Sequence, residues 1–447
     1  MKTFEQLGVS IPEIILPESL DTSTWSVVAC DQYTQDRDYW KNVEKTAEGK
    51  PSSLNIILPE VYLNDADKSE RIEKIRKTMN DYIDGGIFAP PQKECIYVER
   101  TTAYGRVRHG LVCAVDLETY EWKPFSKALI RATEATIVER IPPRMEIRRG
   151  APLELPHIML LVNDPEHSVV EGTGDFVKKS GKAPLYSGNL MQDSGSIRGW
   201  AVQSGDELEY MRSALERLAE KNTAPDGSVF LFAVGDGNHS LATAKAVWDE
   251  YKAAHPDDTH SRVRYALVEI VNIYDTGLTF EPIHRVVFNA ESEALVNALA
   301  GKLGGKTTVL DSEKELEDAV KNSSADFGFV FLKDGKKTYV LMQTDITELA
   351  VSRFQPALDE FVQNAPGGHI CDENGCRLVK PEIDYIHGSA EIFRLGEKEN
   401  ATGILLPPVA KDSFFATIDG LGPLPRKSFS MGEADEKRFY LECRRLF

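Results

Sequence analysis

The chain has 447 residues, enough for two or three domains with ample core, and at 42% hydrophobic and 27% charged its composition is globular, not disordered. Seventy acidic against 52 basic side chains give a formal net charge of −18, a field that disfavours nucleic acid but admits a small phosphate compound in a local pocket. No apolar run reaches the roughly 18–20 residues of a membrane span, and the N-terminus lacks a signal-peptide pattern, so a cytoplasmic protein with reduced thiols is expected.

In chain order, Trp25–Cys30 and "LNIILPEVYL" read as short strands. In "DKSERIEKIRKTMNDYIDGGIF" the apolar residues Ile72, Ile75, Met79 and Ile83 recur at helical spacing, and Gly85-Gly86 stops the helix. "CIYVERTTAYGRVRHGLVCAVD" predicts two strands around a turn at Gly105, and His157–Val162 predicts another buried strand. "GDELEYMRSALERLAEKN" carries Leu208, Met211, Leu215 and Leu218 on one stripe and predicts an amphipathic helix. "SVFLFAV" is apolar throughout, as a strand covered on both faces would be, and a helix-forming stretch follows it. Beyond it, 265–288 continues the α/β alternation, two helices are expected near 291–303 and 313–321, and "DFGFVFLKDGKKTYVLMQT" predicts a hairpin turning at Lys333-Asp334-Gly335-Lys336. The expected class is a mixed α/β fold divided near residue 290, with 1–290 carrying the ligand site and 291–447 forming a C-terminal α+β region.

Of six scattered cysteines, two lie in "GGHICDENGC". His369, Cys371, Cys376 and His387 are candidate zinc ligands, although their spacing fits no recognised finger frame; a glycine-rich surface loop is the alternative.

The chemistry concentrates in "GDGNHS", residues 235–240, between the apolar strand and the next helix. Gly235 and Gly237 let a ligand approach the main chain, and a helix starting near Ser240, capped by that serine, would aim free N–H groups and a positive dipole end at an anion. Asp236 would repel a phosphate unless it held a metal ion or a donor, and His239 is suited to donate or to exchange a proton. The bland reading is a well-made turn, since Asp, Asn, Ser and Gly are common turn residues. Neither a Walker loop nor a dinucleotide fingerprint is present.

The turn resembles the Asp-Gly-His-His-Arg signature of the prokaryotic family numbered 1015 among the domains of unknown function. "KPFSKALIRATEATIVERIPPR", "GLTFEPIHRVVF" and "GILLPPVAKDSFFATIDGLGPLPRKSF" are similar, in order, to that family's His-Glu-x-Thr, Pro-x-His-Arg and closing segments. The signature is similar to the nucleotide-binding turn of the ParB/sulfiredoxin-like fold, whose relatives include free-serine kinases, DNA-segregation CTPases and sulfiredoxins. The resemblance implies that Gly237, Asn238, His239 and Ser240 surround nucleotide phosphates, that Glu134 is a general base and that Arg144 contacts phosphate. Asn238 and Ser240 stand where the family has histidine and arginine, and Thr133 where it often has histidine; losing the arginine removes a bidentate phosphate donor.

The expected parts of a phosphotransferase are then Glu134, His239 and Asp236 as catalytic groups, Gly235, Gly237, Asn238, Ser240, Arg140 and Arg144 around a nucleotide (ATP or ADP), and Asp236 holding Mg²⁺. Arg140, Arg144, Arg148 and Arg149 form a basic cluster, read equally as anion steering or as a solvated face. His284-Arg285 reads as a structural pair. The leading function is a small-molecule kinase; the alternatives are a non-catalytic nucleotide or metabolite sensor and, disfavoured by the charge, a DNA-associated CTPase or nuclease. Sulfiredoxin-like chemistry needs a cysteine in the turn, which has none.

Overall fold

The computed structural model describes the backbone of every residue except 367, 373 and 374, and the side chains of 1–366 and 378–447. The chain forms two units, Met1–Thr279 joined by Gly432–Phe447, and Phe280–Met431, so the last segment returns to the first unit. The class is mixed α/β.

The first unit carries α1 (Lys68–Asp84), β1 (Cys95–Thr101), β2 (Val107–Asp116), β3 (Ile130–Arg131), α2 (Ile141–Arg148), β4 (Met159–Val162), β5 (Tyr186–Asn189), β6 (Ser196–Val202), α3 (Gly205–Lys221), β7 (Phe232–Asp236), α4 (Asn238–Ala254) and β8 (Tyr265–Asn272). A mixed sheet of ten strands runs β5-β6-β1-β2-β8-β4-β7-β3 and on to Tyr120–Glu121, with Val9–Ser10 added beside β2. β4 is parallel to β8 and β7 to β3, whereas β4 and β7 are antiparallel. The central strands are buried on both faces, which is why β7 reads as a continuous apolar run. In α1 the buried residues are Ile72, Ile75 and Met79, the stripe that the sequence spacing predicts. α3 opens with a capping box, Ser204 accepting from the Glu207 N–H and Glu207 reaching back to the Ser204 N–H.

Two expected strands are corrected. Trp25–Cys30 is a helical turn (Thr22–Trp25) followed by only Val27–Val28 in strand, because the Asp21 carboxylate caps the turn at the Ser23 N–H. "LNIILPEVYL" forms two short 3₁₀ turns, Ser53–Ile56 and Glu60–Tyr62; the Ser52 hydroxyl caps the first, and Pro59, which has no N–H to donate to a ladder, separates them. Ile56, Ile57, Leu58, Val61 and Tyr62 are buried, but not in strands.

The second unit contains β9 (His284–Phe288), α5 (Ser292–Leu303), β10 (Lys306–Leu310), α6 (Glu313–Lys321), β11 (Phe327–Lys333), β12 (Lys336–Gln343), β13 (Glu382–Ile386) and β14 (Ala401–Leu405). Its antiparallel sheet has the order β10-β12-β11-β14-β9-β13. The β11–β12 hairpin turns at Asp334 (φ 51°) and Gly335 (φ 71°), two consecutive left-handed residues whose twist suits a two-residue hairpin.

The short strand β15 (Phe439–Tyr440) pairs with Val27–Val28 and brings the C-terminal segment onto the first unit. Four arginines of that unit anchor it. The Arg100 guanidinium donates to the Asp435 carbonyl (2.9 Å), Arg106 pairs with Glu436 (2.6 Å), Arg108 donates to the Glu436 carbonyl (2.6 Å), and Arg438 of the segment itself pairs with Glu269 on β8 (2.6 Å) and with Glu442. Glu269 and Glu442 are 0% exposed and Arg438 is 1% exposed, so these charges are wholly desolvated and depend on one another.

Candidate functional site

The strand-to-helix turn forms as the glycines predict, but the helix starts earlier than expected. Gly237 is the N-cap with φ 80°, and α4 begins at Asn238, so Ser240 is the third helical residue and does not cap. No side-chain cap hydrogen bond is made at this N-terminus. A left-handed residue at 237 swings the chain directly from strand into helix; a Cβ there would stand 3.1 Å from Ile158 Cγ1.

A second distortion aims Asp236. In the β4–β7 ladder Leu160 pairs with Val234 but Met159 pairs with Asp236, so Gly235 is an extra residue bulging from the strand. Paired residues share a face, which turns Asp236 to the side of Met159 and of Glu269, the partner of Met159 on β8. The C-terminal segment covers that side, and Lys437 Nζ lies 3.4 Å from Asp236 Oδ2. Asp236 Oδ1 accepts the Gly237 N–H at 3.0 Å, while Oδ2 is buried with no hydrogen-bond partner. Such an oxygen suits a hard cation or an incoming donor.

The loop after β3 closes the other side. Asn238 Oδ1 accepts the Thr133 N–H (3.1 Å) and its Nδ2 donates to Thr133 Oγ1 (3.2 Å), which in turn donates to the Val234 carbonyl (2.5 Å). Thr133 and Asn238 therefore meet and satisfy each other. His239 Nε2 accepts the Ile137 N–H at 3.2 Å, so in the neutral ring Nδ1 carries the proton. Glu134, half-buried, lies in the loop bracketed by these two contacts.

On the far side of the helix terminus, Ser240 Oγ lies 2.8 Å from His157 Nε2, and His157 Nδ1 lies 2.8 Å from the Tyr440 hydroxyl. That hydroxyl accepts the Cys30 N–H at 3.2 Å. Sequence reasoning missed His157, Lys437, Tyr440 and Cys30, which lie far from the turn along the chain; the only local signal was a histidine immediately before a buried strand.

The basic cluster is mostly committed to carboxylates. Arg144 pairs with Glu60 through Nε (2.9 Å) and Nη2 (2.5 Å), both side chains less than a fifth exposed. Arg148 pairs with buried Glu154 (2.5 Å) and Arg149 with Glu250 (2.7 Å); Arg140 is exposed at the start of α2, which packs against α4. His284 and Arg285 sit inside the second unit. His284 Nδ1 accepts the Leu406 N–H (3.1 Å), and Arg285 donates to Gln355 (2.8 Å) with its guanidinium 4.7 Å from the Tyr385 ring centre. Burial, then Arg285, pulls His284 down to about 4.

His369, Cys371 and Cys376 of the zinc expectation lie outside the residues whose side chains are described. Among the described residues no three His, Cys, Asp or Glu side chains are grouped to hold a metal ion, and no helix is long and apolar enough to cross a membrane.

No curated protein matches the chain. Solved structures similar to it include a free serine kinase in complex with AMP (10% identity, 75% of this chain and 92% of that one, TM-score 0.37). A conserved hypothetical protein from Pyrococcus furiosus is similar at 11% identity over 75% of this chain and 97% of that one, with a TM-score of 0.35. SbnI with a C-terminal truncation, from Staphylococcus aureus, is similar at 8% identity over 72% and 82%, also with a TM-score of 0.35. The model of a family described as "Protein of unknown function (DUF1015)" matches residues 15–361, most of the sequence, and the chain belongs to that family.

Proposed function

We propose that the β7–α4 turn binds the phosphates of a nucleotide, ATP or ADP, and that the chain is a small-molecule phosphotransferase built on a ParB/sulfiredoxin-like core. The observation that carries this reading is the seventeen-residue helix α4, entered through a left-handed glycine and without a side-chain cap, with the ion pair of Lys437 and Asp236 Oδ2, an oxygen that accepts no hydrogen bond, at its mouth. The first-turn amides at Asn238, His239 and Ser240 would hold phosphate oxygens, and Lys437 adds a cation in a site shielded from water.

One carboxylate is what Mg²⁺ commonly takes from a protein when the remaining ligands are phosphates and water, and Asp236 fits that role. When bound, Mg²⁺ would supply charge neutralisation between phosphates. His239, with its Nε2 engaged, is suited to donate from Nδ1, which leaves Glu134 as the better general base toward an acceptor hydroxyl. Arg140 is suited to steer an anion.

Arg144, already bound to Glu60, favours a second reading in which the chain senses a nucleotide without turning it over. A thermal-shift panel of ATP, ADP, CTP, GTP and pyrophosphate, with and without Mg²⁺, on wild type and Lys437→Ala tests binding. Ligand at a hundred times its Kd adds about 2.7 kcal/mol, worth a midpoint rise of roughly 5–10 °C. No rise with any nucleotide refutes the binding reading. A rise with no nucleoside diphosphate formed across an alcohol and amino-acid acceptor panel selects the sensor.

A further inference from the structure

Three groups from distant parts of the chain converge on Ser240: His157 before β4, Tyr440 on β15 and Cys30 after Val27–Val28. Ser240 and His157 are half-buried, and Tyr440 is 3% exposed. The Tyr440 oxygen accepts the Cys30 N–H at 3.2 Å. In the tautomer with the proton on Nδ1, His157 donates to the same oxygen at 2.8 Å. His157 Nε2 is then bare and accepts from Ser240 Oγ at 2.8 Å. A hydroxyl bonded to an imidazole that a third group orients is the arrangement of an activated nucleophile. Its place in the first turn of α4 adds the helix dipole, which stabilises negative charge developing on Oγ.

From this geometry we infer that Ser240 is a nucleophile, with His157 its general base and Tyr440 the residue that positions His157, and that it accepts a phosphoryl group from a phosphoanhydride bound at the turn. The inference rests on the phosphate-site reading of that turn. Ser240 Oγ forms the new O–P bond while its proton passes to His157 Nε2. The bridging P–O bond of the nucleoside triphosphate breaks with its electron pair, and the nucleoside diphosphate leaves. The phosphoserine is then attacked at phosphorus by an acceptor alcohol, whose proton Glu134 takes, and Ser240 Oγ leaves with the proton returned by His157. The net reaction moves one phosphoryl group from nucleotide to alcohol, and release of the acceptor's proton from Glu134 to water regenerates the enzyme. The serine that costs this chain the family's arginine thus gives it a covalent route.

A fluorophosphonate probe tests the nucleophile without any nucleotide, because it phosphonylates activated serines directly, with fluoride as the leaving group. The full-length protein is incubated with the probe and the adduct located by peptide mass spectrometry in wild type, Ser240→Ala, His157→Gln and Tyr440→Phe. The adduct is expected on Ser240, absent from Ser240→Ala, and formed at least about 100-fold more slowly in His157→Gln. In wild type the labelling rate should rise with pH along one histidine ionisation, the groups in contact with His157 being Ser240 and Tyr440, with Cys30 behind Tyr440. Tyr440→Phe should move that inflection. Failure to label Ser240, equal rates in wild type and His157→Gln, or a wild-type rate flat across the histidine range overturns the inference; the last result needs no variant to fold. The nucleotide panel is read separately. A midpoint rise without labelling removes the nucleophile and keeps the phosphate site, whereas labelling without a rise removes the nucleotide and, with it, the phosphoryl transfer proposed here.

Discussion

Arg438→Met should be among the most damaging single changes in the first unit. The guanidinium is 1% exposed and bonds two carboxylates that are 0% exposed, Glu269 at 2.6 Å and Glu442. Methionine fills much of the volume but leaves both charges buried without that partner, a loss that costs about 3–5 kcal/mol. Part of the compensation survives: Arg108 Nε lies 3.5 Å from Glu269, and the Tyr186 hydroxyl donates to Glu442 at 2.5 Å. The lower figure of about 3 kcal/mol is therefore expected, a fall in Tm of roughly 6–12 °C. The pH dependence has a definite sign. Burial pushes the Glu269 carboxyl up, but Arg108 and Arg438 outweigh it, so it sits below its ordinary value. Its contribution is complete above the unfolded carboxyl pKa of about 4.3 and is lost as pH falls through the folded value. Without Arg438 burial weighs more, Glu269 accepts a proton more readily, and the gap between variant and wild type should narrow from about pH 7 toward about pH 5. Urea unfolding followed by tryptophan fluorescence at both pH values measures this. A variant within about 1 kcal/mol of wild type at neutral pH, or a gap that widens on acidification, would refute the reasoning.

Gly237→Ala forces a residue with a Cβ into φ 80°, 3.1 Å from Ile158, and should cost roughly 1–2 kcal/mol in a melting experiment while abolishing any nucleotide-dependent shift. Asn238→Ala removes the acceptor for the N–H of Thr133, which is 0% exposed, at a cost of about 1–3 kcal/mol. Most of that cost should be shared with Thr133→Ala in a double-mutant cycle; additive losses would mean the two do not act as a pair. In the second unit, His284 falls from an ordinary 6.5 to about 4, so the unfolded chain binds the extra proton between those values. Stability should fall as pH drops through that window, by at most about 3 kcal/mol, and His284→Asn, which keeps an acceptor for the Leu406 N–H, should flatten the dependence measured by denaturant titration.

What the sequence made legible was local. Helix α1, the β11–β12 hairpin, helices α5 and α6 and the strand–turn–helix at Gly237 each announce themselves within one window of residues, because period and turn chemistry are short-range. "LNIILPEVYL" misled because an apolar run reports burial and not backbone conformation, and here a serine cap and a proline decide the latter. Half of the site was invisible for a different reason. His157 lies 83 residues from Ser240 and 283 from Tyr440, and no pattern in one sequence pairs them. Ser240 itself was found but given the wrong local duty, since a serine at the third helical position is free to turn its hydroxyl outward to a partner from elsewhere.

The division of the chain also sets an order of manufacture. By the time a ribosome has translated Met431 it has delivered all of the second unit, yet the first unit still lacks its final segment. Lys437, Arg438 and Tyr440 do not yet exist, so Asp236 lacks its ammonium partner, His157 keeps Ser240 but lacks the hydroxyl at its other ring nitrogen, and Glu269 keeps Arg108 but lacks Arg438. A chain truncated before Lys437 therefore keeps the strand–turn–helix at Gly237 but lacks the lysine, arginine and tyrosine that meet Asp236, Glu269 and His157.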